Sequence, residues 1–209
     1  ALMPTLVPAQ AGQITYLDGH MIAYWSRRSM HNGQITMLGR IMAGSQAVIT
    51  HDEVGQGLFV AYHPPDQHLS QFIVAYCQQV ALATGLSRFV IDRAVNSLAV
   101  ARAFAHQDFG LLCMLDDNEH PGLASFDATL EETRQDGTKV YNGPWKIPRA
   151  DDPRHFVMVE PVAGKPLVYW GTPRVKATVE PTAWPQVYRA RSERQENSFK
   201  RMIDHGALN

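Results

Sequence analysis

The stretch FVIDRAVNS sets Asp92 directly after Phe89, Val90 and Ile91. A carboxylate ending an apolar strand costs several kcal/mol if it is desolvated and unpaired, so it must be paired, hydrated, capping a turn or bound to a cation. Arg93 is a poor partner, because neighbouring residues on a strand point to opposite faces. Two other charged groups invite the same question. DDNEH, 116–120, gathers Asp116, Asp117, Glu119 and His120 after an apolar run and reads as an exposed turn. The run 188–201 holds Arg189, Arg191, Arg194, Lys200 and Arg201 against Glu193 and Glu196, a basic patch suited either to phosphates or to a solvated face. The histidines show no HExxH spacing. Cys77 and Cys113 lie among apolar neighbours without metal-ligand spacing, which fits reduced, buried thiols better than zinc or a disulfide framework.

The chain has 209 residues, 45% of them hydrophobic, and a formal charge of −1. That suffices for one full core, or for a domain with a large insertion. The balance gives no general electrostatic reason to expect a polyanion partner. No apolar run has membrane-spanning length and no signal peptide is visible, so the expectation is a soluble, cytoplasmic chain with no membrane partner. It starts without methionine and ends at HGALN, where a helix is expected to be finishing, which suggests cuts through something longer.

Positioning Asp92 requires a strand before it and a helix after it. Extended patterns over 13–25, 34–50 and 57–63 predict a three-stranded meander, with Asn32-Gly33 and Glu53-Val54-Gly55 as turns. Phe72, Ile73, Tyr76, Val80 and Ala83 predict a helix over 69–85 that stops at Gly85. A strand at 88–91, a helix from Ser97 to Gln107 capped by Asn96 or Ser97, and a strand at 110–115 follow. From 116 to 181 the chain turns rich in Gly, Pro and Asp, with β-like pieces KVYNGPWKI, HFVMVEP and PLVYWG and no convincing helix. A final helix is expected from Thr182 to Asp204. The resulting organisation is a first core part at 1–115, a β-rich insertion at 116–181 and a C-terminal core helix at 182–209. Its order is that of an α/β, ribonuclease-H-like mixed sheet flanked by helices. In such a sheet the first and fourth strands are neighbours, and here they carry Asp18 and Asp92.

Three stretches then acquire a common meaning. YLDGHMIAYW, FVIDRAVNS and YRARSERQENSFKRM together resemble the DDE transposases of bacterial insertion sequences, in the branch with a β-rich insertion before the last acidic residue. The resemblance spans nearly the whole chain in the right order. It implies that Asp18, Asp92 and Glu196 are catalytic and hold metal, and that Tyr188 and Arg191 are the Tyr and Arg of the signature helix, with Lys200 a turn beyond the Glu. It further implies DNA contacts by Tyr188, Arg189, Arg191, Arg194 and Lys200. There are departures: Gln195 stands where the family commonly has its Glu, and Ser192 where an aromatic is common, so Glu193 remains an alternative to Glu196. Asp18 also begins an Asp-Gly pair, a strong hairpin signal.

The implied chemistry is metal-dependent cleavage and transfer of DNA strands. Two Mg²⁺ or Mn²⁺ ions can serve the attacking oxygen, the leaving oxygen and the phosphoryl charge, and hard cations prefer carboxylate oxygens. The expected partner is double-stranded DNA, at element ends and target, in a nucleoid-associated setting, with a homodimer left open. Two alternatives share the same residues: a non-catalytic remnant that keeps the fold and binds DNA or a sister subunit, and a nuclease without strand transfer. Trp145, Trp170 and Trp184 are expected to pack the insertion, with stacking on unpaired bases as the other option. His20 near Asp18 reads as a hydrogen-bonded surface residue.

Overall fold

The structure, a computed structural model, describes residues 14–23, 31–35, 40–116, 125–144, 146 and 151–193. Its described residues form two compact units, one running to Leu86 and the other from Ser87 to Glu193. Both mix strands and helices, so the fold is α/β.

In the first unit, β1 (Thr15–Ala23) pairs antiparallel with the long β3 (Arg40–His51). On its other side β3 pairs antiparallel with β2 (Asn32–Ile35) near its start and with β4 (Gly57–His63) near its end. The expected strand at 34–50 is thus two strands, and Asn32-Gly33 lies in β2 and not in a turn. The misleading feature is the run of strand-compatible residues Ile35, Thr36, Met37, Ile41 and Met42, which reads as one extended pattern. The β3–β4 turn is as expected: the Asp52 carboxylate accepts from the backbone of Val54 and Gln56, and Gly55 takes φ 78°.

After β4, His68 caps a short 3-10 turn, and α1 (Ile73–Thr84) follows. Ile73, Tyr76, Cys77 and Val80 are its buried face, at helical spacing. Gly85 closes it at φ 76°, a conformation that glycine adopts without steric cost.

The second unit is built on one mixed sheet. Strand β5 (Arg88–Ile91) pairs parallel with β6 (Gly110–Met114), the two being joined through α2 (Leu98–His106). Ser97 is the cap of α2, its hydroxyl accepting from Val100 N at 3.1 Å. Phe89, Val90 and Ile91 are fully covered, as a parallel strand buried on both faces requires.

Four more strands extend this sheet from β6: β10 (Leu167–Gly171), β9 (His155–Glu160), β8 (Lys139–Gly143) and β7 (Thr129–Thr133), in that order and all antiparallel. The three β-like pieces read from sequence are β8, β9 and β10. β7 was not foreseen; all five of its residues are exposed, so no apolar alternation marks it. A short helix, α3 (Pro173–Lys176), was also missed, being too brief for periodicity and opened by a proline at its first turn.

A last helix, α4, begins at 184 and is described to 193. Its Trp184 is wholly buried and donates from Nε1 to Val179 O at 3.1 Å. The Trp184 ring lies where a Cβ on Gly171 would stand, 2.6 Å from the nearest ring carbon, so β10 needs glycine there. Among the described residues no helix is long and apolar enough to cross a membrane.

Candidate active site

Asp92 follows β5 in extended conformation and caps the 3-10 turn Arg93–Val95, its Oδ1 accepting from Arg93 N at 2.8 Å. Capping is therefore part of the reason a carboxylate ends this strand. The rest comes from α4. Tyr188 donates its hydroxyl to the same Oδ1 at 3.1 Å, and the Arg191 guanidinium lies 3.5 Å from it. Three residues apart on a helix, Tyr188 and Arg191 share one face, and the guanidinium sits over the Tyr188 ring, 5.5 Å from its centroid.

No described residue donates to the other carboxylate oxygen, Oδ2. The Asp92 side chain keeps 38% of its surface exposed, against 10% for Arg191. Arg93 turns its guanidinium away, to within 3.7 Å of Asp116.

The backbone of this turn is held from below. Cys113 on β6 donates its S–H to Asp92 O at 3.4 Å, and burial pushes the thiol far above its usual range, so it remains a donor. Burial likewise raises the Tyr188 phenol well above its usual pKa, with Cys113 and Asp92 adding to the shift and Arg191 opposing it. At the far end of the turn Trp170 donates from Nε1 to Asn96 Oδ1 at 2.9 Å. Arg154 stands over the rings of Trp170 and Phe156 and is held by Asp152 in a two-pronged pair, at 2.9 and 2.8 Å. Trp170 and Trp184 are both fully buried, so they pack the second unit and have no face to offer a base; Trp145 lies outside the described residues.

The remaining predicted residues are placed as follows. Asp18 stands within β1 opposite Ile49 of β3, half-buried, and the strand runs on to Ala23, so Asp18-Gly19 forms no hairpin turn. His20 is half-buried on the same strand. Arg189 is exposed on α4, near the buried Tyr169, whose pKa burial raises and the Arg189 charge pulls down. Glu193 is exposed. Arg194, Glu196 and Lys200 lie outside the described residues, as does most of DDNEH. Sequence reasoning missed Cys113, Asn96 and Trp170 as supports of the Asp92 turn. Asn96 had been noticed, but as a helix cap; nothing in the spacing of Trp170 points to it.

Carboxylate oxygens are what Mg²⁺ and Mn²⁺ prefer, and Asp92 Oδ2 fits such an ion in donor type. Among the described residues no group of three or more His, Cys, Asp or Glu side chains is gathered so as to hold a metal, and Glu196 is not among those residues. No protein-family model matches the chain, and no curated protein matches it.

Proposed function

We propose that this chain is the catalytic core of a DDE-type transposase, with a ribonuclease-H-like fold, carrying out metal-dependent cleavage of DNA strands and their transfer to a target. The observation that carries the reading is the meeting of Asp92 with Tyr188 and Arg191. These residues come from two separate stretches that the resemblance had joined, and they converge on one carboxylate oxygen at the end of a buried strand.

In this reading Asp18, Asp92 and Glu196 supply carboxylate oxygens to Mg²⁺ or Mn²⁺, which when bound would lower the charge at the phosphoryl group and activate an oxygen nucleophile. The chain's own contribution is orientation. The Arg93 backbone and Tyr188 fix the Asp92 carboxylate, and Cys113 and Trp170 fix the turn that bears it. Arg189, exposed on α4, and the basic residues Arg194 and Lys200 offer positive charge to a DNA backbone, a contact that would weaken steeply with salt.

A remnant that keeps the fold without catalysis is the second reading, favoured by Gln195 at the position where the family commonly carries its Glu. Divalent ions separate the two. Millimolar Mg²⁺ or Mn²⁺ should raise the melting temperature of the wild-type chain by binding the folded state preferentially. Asp92→Asn should abolish that rise along with Mg²⁺-dependent nicking of duplex DNA. An unchanged melting curve for the wild type across millimolar metal would favour the remnant.

A further inference from the structure

We propose that the chain forms a two-fold symmetric dimer in which β4 pairs antiparallel with the β4 of a second copy, Val60 of each facing Tyr62 of the other. The inference stands apart from the catalytic reading and concerns the first unit alone.

The state of two edge strands argues first. An edge presents unpaired backbone N–H and C=O groups, which proteins guard with charge, proline or a bulge. β7, last in the sheet of the second unit, is guarded: Glu131 and Glu132 lie in it, and its register with β8 shifts between Leu130 and Glu132. β4 is guarded only beside its turn, where the register shift at Thr50 and His51 leaves Leu58 without a partner on β3. From Phe59 to His63 it is regular, pairs among the described residues with β3 alone, and contains no Asp, Glu, Lys, Arg or Pro.

Side-chain placement argues second. Alternation along the strand puts Val60 and Tyr62 on one face and Phe59, Ala61 and His63 on the other. The second face is anchored inside the unit, with His63 buried and its ring stacked on Phe72 at 4.9 Å. On the first face Val60 stays 38% exposed and Tyr62 55%.

Symmetry selects the occupant. A two-fold interface must be self-complementary, residue i meeting j where j meets i. Antiparallel pairing about Ala61 meets that condition: Val60 faces Tyr62 twice, and the two exposed side chains cover each other. A β-branched residue opposite an aromatic one is a favourable cross-strand pair. The same operation on β7 about Glu131 would set carboxylates against each other, which is unfavourable. With a formal charge of −1, two copies of the chain scarcely repel.

The test is sedimentation of the full 209-residue chain over a range of concentration, with melting temperature as the folding control. Wild type should pass from monomer to dimer as concentration rises, and the amides of Phe59 to His63 should exchange more slowly in step. Val60→Lys combined with Tyr62→Lys sets like charges opposite each other and should raise the dissociation constant about tenfold or more. Val60→Lys combined with Tyr62→Glu sets opposite charges there and should recover most of that loss. Both sites are exposed, and if a variant nonetheless fails to fold, amide exchange in the wild type decides the matter. A chain that stays monomeric throughout overturns the proposal and leaves the edge to a strand of another protein. A dimer whose β4 amides exchange as in the monomer, or whose dissociation constant ignores the two lysines, overturns it by placing the contact elsewhere. Equal weakening by the two double variants overturns the pairing of Val60 with Tyr62.

Discussion

At Asp92 one carboxylate oxygen caps a turn and meets Tyr188 and Arg191, while 38% of the side chain's surface stays exposed. The same face of α4 bears on which glutamate would complete the proposed site. Tyr188 and Arg191 point inward, and Glu193 follows Arg191 by two residues, about 200° further around a helix. It is exposed accordingly. Under the function proposed above, Glu193→Gln should therefore leave Mg²⁺-dependent DNA cleavage nearly intact, whereas Glu196→Gln should remove it with little loss of stability. Cleavage assays on the two variants decide between them. Abolition by Glu193→Gln but not by Glu196→Gln would make Glu193 the third acidic residue.

The elements that carry the site depend on close approach. Strand β10 passes so near Trp184 that Gly171→Ala would drive a methyl into the indole. Overpacking of this kind costs about 1 to 3 kcal/mol. Because Trp184 begins the helix that bears Tyr188, the urea midpoint should fall; an unchanged midpoint would show that α4 relaxes to accept the methyl. Elements with local signals were legible in the sequence. β4 and β5 were read with their boundaries as found, because Gly57 and the run Phe89 to Ile91 mark them, and Ser97 announced α2. What no local pattern encodes is which distant strand lies alongside which, or that a tryptophan on β10 would reach Asn96. Asp92 was legible as a residue needing a partner, but its partners stand some hundred residues later, at 188 and 191. Their common helix face was visible, and the target of that face was not.

At the scale of the molecule, acid stability turns in part on His155, half-buried between strand, helix and indole. Its Nε2–H donates to Asn142 Oδ1, Nδ1 accepts from Lys176 at 3.2 Å, and the Trp184 ring stands edge-on. Desolvation, helped by the Lys176 charge, lowers its pKa from 6.5 to about 4. The unfolded chain therefore takes up this proton before the folded one, so the stability that His155 contributes is complete above about 6.5 and is lost as pH falls towards about 4. His155→Gln should flatten the decline in urea midpoint across that window; an identical decline in both proteins would show that other groups set it. The pairing of β10 with β6 has a further consequence, for the order in which the chain is made. β5, α2 and β6 leave the ribosome well before 167–171, so the parallel pair waits with one edge of β6 uncovered while the intervening residues are synthesised. That uncovered edge, Leu112 to Met114, is where a nascent chain could be captured by a chaperone or join a neighbour's strand, and translation speed through 115–166 sets how long it stays open.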